Sequence, residues 1–456
     1  MLRNSNNLVK NGILRRFLST RPEVTELSNG VSVVTRYNPN VAHNTTGLVF
    51  GSGSSAENPY NNGVSHVCSS LFSRHNKKVN ADAVKQGFKL DSLVDREYQS
   101  FLVTSAGSAN LAKALDCLNT SFAETTQNVN QSDFDQSKTL ITEELYKLEN
   151  KNKFQQERVM EHLHSTAFQN TPLSLPKRGT MESVQSLVTD DLKEFASVNY
   201  NNTNVIVVNE GNIQHNDFIE LLESKNFKLS NEHKPTLPKS TFLGSEVRLR
   251  DDTLPKAYFA IAVEGESIRS PDYLTSQVAA EIFGSYNALE PKSRLQGVKL
   301  IDQFQEYNIA EMYDHFSLSY KDSGLWGFRA VTSEFNSIDE VVHFTLKQWN
   351  RLTISITETE LARGKQLLKL KLASNLESNP NVTQIVSELG YQALNGNIRP
   401  TLAEQFALID KITVKDIKNW ASKRLWDQDV AIAGSGQIEG LLDYMRIRND
   451  MSMMRW

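Results

Sequence analysis

The feature that most limits how this chain can fold is a repeat inside it. Asp191-Leu192-Lys193-Glu194-Phe195-Ala196-Ser197 is echoed by Asp416-Ile417-Lys418-Asn419-Trp420-Ala421-Ser422. The same offset carries Val205 onto Val430, Gly211 onto Gly436 and Ile213 onto Ile438 without a gap. A helix, a strand and a turn thus recur in one order, the mark of a structural unit used twice. The starts of the halves also agree, with Gly53-Ser54-Ser55 ahead of Asn58-Pro59 matching Gly265-Glu266-Ser267 ahead of Ser270-Pro271. At 456 residues the chain exceeds the roughly 250 to 300 residues at which one hydrophobic core stops growing. Two similar halves are expected, at 23–230 and 242–456, joined by a polar, proline-bearing linker at 231–241.

Within the first half, Leu27, Val31 and Val33-Val34 around Asn29-Gly30 predict a hairpin over Glu26–Arg36. Thr46–Gly51 reads as an apolar strand, Gly51–Asn62 as a turn-rich loop and Gly63–Phe72 as a helix. Ser132 with Asp135 three residues on predicts the cap of a long helical segment, running with interruptions to Ala167. An amphipathic helix, Asp190–Asn199, precedes a buried strand at Val205–Val208. Strands, then helices, then strands again indicate an α+β fold, each half a mostly antiparallel sheet packed with helices.

Composition excludes more than it identifies. With 39% hydrophobic residues, 22% charged residues and a net charge of -4, nothing calls for nucleic acid. No run approaches the roughly 20 apolar residues of a membrane-spanning helix. Two cysteines, Cys68 and Cys117, make no disulfide framework and read as reduced thiols. The first 22 residues stand apart. They hold no acid, while Arg3, Lys10, Arg15, Arg16 and Arg21 are basic and Ser5, Ser19 and Thr20 are hydroxylated. Leu8, Ile13, Leu14 and Phe17 can share a helical face against Arg3, Lys10 and Arg16. That is the pattern of a cleaved mitochondrial transit peptide, with a disordered basic tail as the alternative and a mature start between Leu18 and Thr25.

The helix after the first glycine-rich loop carries Asn62-Gly63-Val64-Ser65-His66-Val67-Cys68-Ser69-Ser70-Leu71-Phe72. In this stretch the chain resembles the inverted zinc peptidases of pitrilysin type, whose helix bears His-x-x-Glu-His after an Asn-Gly turn. Residues four apart share a helical face, so two histidines reach one ion and the acid between them activates its water. Here His66 keeps the first ligand position, while the base position is Ser69 and the second histidine position is Ser70. By the resemblance the third ligand is a glutamate in Thr142-Glu143-Glu144, most readily Glu143, with Glu144 as the alternative. A catalytic zinc takes about three protein donors of nitrogen, sulfur or carboxylate type. One histidine and one carboxylate do not meet that, and loss of the base alone removes about 10² to 10⁴-fold in rate.

No other residue repairs the motif. His75, nine residues beyond His66, falls on the opposite face of a continuous helix, and His162 and His164, two apart, diverge. Cys68 cannot face the His66 ring from two residues away and reads as a buried structural thiol. Gly51-Ser52-Gly53-Ser54-Ser55 has no Gly-Lys-Ser/Thr after it and is a turn, not a phosphate loop.

The likeness extends over nearly the whole chain beyond the first segment. His164–Leu173 is similar to the stretch that follows the third ligand in β-type subunits of the mitochondrial processing peptidase, and Ser319–Phe328 to their second-half strand pair. The tail, Asp443–Arg448 and Met451–Trp456, resembles the core protein 1 branch of the family, of fungal type. The missing Glu and His depart from an active β subunit, and Ile282–Pro291 lacks the glycine-rich loop of an α subunit. The resemblance implies a non-catalytic structural subunit of mitochondrial ubiquinol–cytochrome c reductase, respiratory complex III. It implies a peripheral place on the matrix side of the inner membrane, with core protein 2, cytochrome b, cytochrome c1, the Rieske protein and small subunits as partners. It implies no haem, quinone or iron–sulfur ligands in this chain. A subunit of the processing peptidase is the alternative. Trp420, Trp426 and Trp456 are candidate interface anchors, with core packing an equal account of the first two.

Overall fold

The computed structural model describes residues 21–39, 41–75, 77–151, 154–225, 229, 236–291, 295–377 and 382–453. The expected transit segment up to Thr20, the first part of the expected linker (231–235) and Trp456 lie outside those residues.

The first sheet is built from β1 (Glu23–Glu26), β2 (Ser32–Tyr37), β3 (His43–Phe50), β4 (Phe88–Val94), β5 (Gln99–Ala106) and β6 (Val205–Gly211). Its order is β1-β2-β6-β3-β5-β4. The second contains β7 (Glu246–Arg250), β8 (Ala257–Glu264), β9 (Ser285–Asn287), β10 (Met312–Ser319), β11 (Gly324–Thr332) and β12 (Val430–Gly436), in the order β7-β12-β8-β11-β10-β9. Five strands correspond in order, β2-β6-β3-β5-β4 to β7-β12-β8-β11-β10. In both, the first pair is parallel and the others are antiparallel. The duplicated α+β architecture read from the repeat is therefore present as two sheets of one topology. The hairpin at Asn29-Gly30 is present too, with Glu23–Glu26 against Ser32–Thr35.

The helices are α1 (Val64–Ser70), α2 (Lys77–Lys85), α3 (Leu111–Thr126), α4 (Gln131–Asn150), α5 (Gln155–Ala167), α6 (Met181–Ser186), α7 (Thr189–Asn199) and α8 (His215–Lys225) in the first half of the chain. In the second they are α9 (Tyr273–Phe283), α10 (Lys299–Tyr307), α11 (Ile338–Ile354), α12 (Glu358–Glu377), α13 (Val382–Leu394), α14 (Leu402–Lys411), α15 (Val414–Arg424) and α16 (Tyr444–Met453). The repeat found in the sequence is α7–β6 and α15–β12. Thr413 caps α15 through a box with Asp416. The long helix breaks between α4 and α5, and its cap falls two residues earlier than expected. Ser132 lies inside the first turn and its N–H donates to Oδ1 of Asn130 at 3.2 Å.

Period-two alternation decides which side chain meets which layer. Along the first sheet Val33, Leu48, Phe50, Phe101, Val103, Val205 and Val207 enter the larger core, with α1, α3 and parts of α4 and α7. Their neighbours Val34, Val49, Leu102, Ile206 and Val208 face the other way, onto Val386 and Leu389 of α13. The second sheet does the same, turning Tyr258, Ala260, Ala262, Ala431 and Ala433 onto Val159, Leu163 and Ala167 of α5. Each sheet is thus covered on one face by a helix from the opposite half of the sequence.

One change between compact units falls at Leu237/Pro238, inside the stretch expected as the linker, but each unit also takes a segment from the other half of the chain. One draws on the segments up to Leu145, 175–237 and 373–407, the other on 146–174, 238–372 and 408–456. Trp420 is buried in the second unit, its ring 5.0 Å from that of Trp326 and its Nε1 donating to Oε1 of Glu266 at 3.1 Å. It packs the interior and is not a surface anchor. No described helix is long and apolar enough to cross a membrane.

Candidate functional site

The loop after β3 and the start of α1 form one rigid piece. Gly63 takes φ +100°, and a Cβ there would stand 2.8 Å from Cγ2 of Val184, so no other residue fits the turn without strain. The buried Glu57 carboxylate accepts from the Gly63 and Ser65 N–H groups, both at 2.8 Å, from Ser65 Oγ at 2.5 Å and from Asn62 Nδ2 at 2.7 Å. It caps α1, where the free amides and the helix dipole favour an anion. Burial pushes its carboxyl up to about 7, against those four donors.

From that anchored start, α1 presents His66 on its half-exposed side. Nε2 of His66 lies 3.8 Å from Oε2 of Glu144 on α4, an ion-pair separation longer than a hydrogen bond. Nη1 of Arg74 donates to the other oxygen of Glu144 at 3.0 Å. His66, with Arg74, holds the Glu144 carboxyl well below the usual range, at about 2. Of the two glutamates left open by the sequence, Glu144 is the one facing His66, and Glu143 is exposed. Arg74 was not legible beforehand, because the turn Leu71–His75 is wound as a π-helix and shifts the phase of every side chain beyond Ser70. The side chain of His75 lies outside those described.

The two serines are built into the packing. Ser69 Oγ and Ser92 Oγ of β4 are 2.6 Å apart, and Ser92 Oγ donates to the Ser69 carbonyl at 2.8 Å. Ser70 is buried, with its Oγ unpartnered. A zinc ion fits this set poorly. Two of the four motif-related positions offer neutral hydroxyls, one of them already bonded across to a strand. The carboxylate that would be a ligand is held by a guanidinium, whose charge opposes a second cation. Among the described residues no group of three or more His, Cys, Asp or Glu side chains gathers as a metal site.

Other reactive groups serve the interior. Cys68 is fully buried, its thiol pushed up to about 12 by burial, with the Tyr200 hydroxyl 3.6 Å from Sγ. His164 donates from Nδ1 to the Met160 carbonyl and accepts the Tyr320 hydroxyl at Nε2, both at 2.7 Å. His315 accepts from Trp349 Nε1 at 3.0 Å and is held neutral by burial, well below its ordinary pKa.

Comparison with known proteins places this geometry. Residues 32–181 match the model described as Insulinase (Peptidase family M16), and residues 186–368 the one described as Peptidase M16 inactive domain. The chain is 52% identical over 453 residues to the mitochondrial cytochrome b-c1 complex subunit 1 of Saccharomyces cerevisiae, covering 99% of this chain and 98% of that one. It is 33% identical to the mitochondrial-processing peptidase subunit beta of Neurospora crassa, covering 95% and 91%. Among solved structures, a chain of complex III from Candida albicans matches with a TM-score of 0.86 at 37% identity, covering 94% of this chain and 100% of that one.

Proposed function

The chain belongs to the M16 peptidase family, and from that premise we propose that it is a non-catalytic core subunit of mitochondrial respiratory complex III, core subunit 1. Its role there is assembly and stability of the complex that passes electrons from ubiquinol to cytochrome c, and its redox centres belong to other subunits. The observation that carries this reading is the likeness along the full length to subunit 1 of a cytochrome b-c1 complex, at 52% identity. The site supports it. Serines stand at the base and second-histidine positions, and Arg74 occupies the side of Glu144 away from His66.

On this reading the residues His66, Ser69, Ser70 and Glu144, with Glu143 beside it, are the remains of a metal site that no longer recruits zinc. No catalytic residue or cofactor is assigned to the chain. The subunit lies peripherally on the matrix side of the inner membrane. There it pairs with core protein 2 beneath cytochrome b and cytochrome c1, with the Rieske protein and small subunits in the same assembly. The first 22 residues serve as the import signal and are removed.

A native gel of detergent-solubilised mitochondria tests the proposal, with the chain expected to co-migrate with haem-containing complex III. Migration with a soluble matrix peptidase would instead favour the second reading, a processing-peptidase subunit, which the 33% identity to a β subunit supports. Metal analysis of the purified protein is expected to give far less than one zinc per chain, and a presequence peptide is expected to stay uncut. Stoichiometric zinc or cleavage would overturn the non-catalytic assignment.

A further inference from the structure

The covered face of the first sheet is finished by a helix that the ribosome makes long after the sheet. Strand β6 ends at Gly211, while α13 begins at Val382. The face it covers carries Val34, Val49, Leu102, Ile206 and Val208, each at most 4% exposed. Without α13 those five side chains meet water. That removes an amount of burial comparable with the net stability of a whole domain.

The fit is specific. Helix α13 approaches so closely at Gly390 that a Cβ would stand 2.5 Å from Cγ2 of Val49 and 3.0 Å from Cγ2 of Val208. Ser387 donates to the Thr383 carbonyl and so accepts from the buried Ser100 hydroxyl, 2.6 Å away. Tyr391 stacks on Tyr98 with centroids 4.8 Å apart and donates to the Glu97 carboxylate. Thr383 donates to Oδ2 of Asp91 at 3.3 Å. Leaving such buried groups unpaired is unfavourable beyond the loss of apolar contact.

We propose that docking of Val382–Leu394 is the step that completes the first unit, so that the N-terminal sheet gains stable structure only when this late segment arrives. The N-terminal half then does not behave as an independent domain during vectorial synthesis or import, although every strand of its sheet precedes residue 212. Closing so long a separation is entropically unfavourable and slow, and native contacts offset it only after closure.

Pulse-labelled hydrogen exchange during refolding of the full chain, read by mass spectrometry, tests this. Peptides covering β3 and β6 are expected to gain protection in the same phase as α13. Protection of β3 and β6 in an earlier phase would overturn the proposal. In Gly390→Val, native-state exchange of β3 and β6 is expected to rise about tenfold or more from overpacking against Val49 and Val208. The exposed-face variant Gln384→Ala is expected to exchange as wild type. Fraying of α13 alone, with β3 and β6 unchanged, would count against the idea. Should Gly390→Val fail to fold, wild-type exchange in low denaturant decides: α13, β3 and β6 are expected to open as one unit, and α13 opening by itself refutes the coupling.

Discussion

Both sheets are roofed by a helix from the far half of the chain, yet the two roofs divide large and small residues in opposite ways. Over the first sheet the strands supply Val49, Leu102, Ile206 and Val208, and the helix, besides Val386 and Leu389, yields space at Ser387 and Gly390. Over the second the strands supply Ala260, Ala262, Ala431 and Ala433 beside Tyr258, and the helix supplies Val159 and Leu163 with Ala167. A packed layer needs a large residue opposite a small one, and it does not matter which element provides which. Duplication conserved the strand order and let the size pattern invert. What was kept is topology; what drifted is the assignment of volume.

The sharpest way to break that comparison is to empty the large side of the second interface. Leu163→Ala is expected to cost about 2 to 5 kcal/mol, since alanines across from it cannot close the space. Denaturant unfolding followed by tryptophan fluorescence would measure it, because Trp326, Trp349 and Trp420 all lie in the second unit. A smaller loss, about 1 to 3 kcal/mol, is expected from enlarging the small side with Ala433→Leu. The mirrored change in the first unit, Val208→Ala, should leave the tryptophan transition in place and instead expose the Cys68 thiol to alkylation earlier in the titration.

The halves also differ in how they hold a buried acid near the start of the repeated unit. Glu57 has four neutral donors and, among the described residues, no ion-pair partner, and burial raises its carboxyl from 4.5 to about 7. Glu266 is buried as well, which opposes its charge. Arg424 at 2.7 Å, with Ser270 and Trp420, outweighs that and leaves the carboxyl below its ordinary value. The fold therefore favours protonated Glu57. Its contribution is full below about pH 4.5 and is lost as pH rises toward 7. Glu266 contributes above the ordinary carboxylate value and loses that contribution as pH falls below it. Acidification from pH 7 is expected to slow alkylation of Cys68 while lowering the denaturant midpoint seen by tryptophan. Parallel movement of both probes would show that the two acids do not differ in this way. Smallest of all, Arg74→Ala is expected to change stability by no more than about 1 kcal/mol, because the Arg74–Glu144 pair is largely exposed. Circular dichroism melts would measure it.

What the sequence made legible was local or periodic. The α7–β6 and α15–β12 units, the Asn29-Gly30 hairpin and the His66 helix all rest on patterns within a few residues. The exchange of α5 and α13 was not legible. An amphipathic helix such as Gln155–Ala167 reads the same whichever sheet it covers, and only tertiary packing chooses. Which of Glu143 and Glu144 faces His66 was not legible for a related reason. One residue turns a helix by about 100°, and nothing in the residues of α4 fixes its rotation toward α1. Arg74 was hidden by a π-wound turn that no composition announces, and Ser92 by a cross-layer contact between α1 and β4.

The strands that end each sheet carry one more consequence. Beyond the shared five-strand frame, β1 extends the first sheet at the β2 side and β9 extends the second at the β10 side. The terminal strands are salted with charge: Glu23 and Glu26 on β1, Lys89 and Asp91 on β4, Glu246, Arg248 and Arg250 on β7. The remaining terminus, β9, is only three residues long. Such margins discourage stray strands from adding on, so each broad sheet ends in borders that make poor templates for another chain.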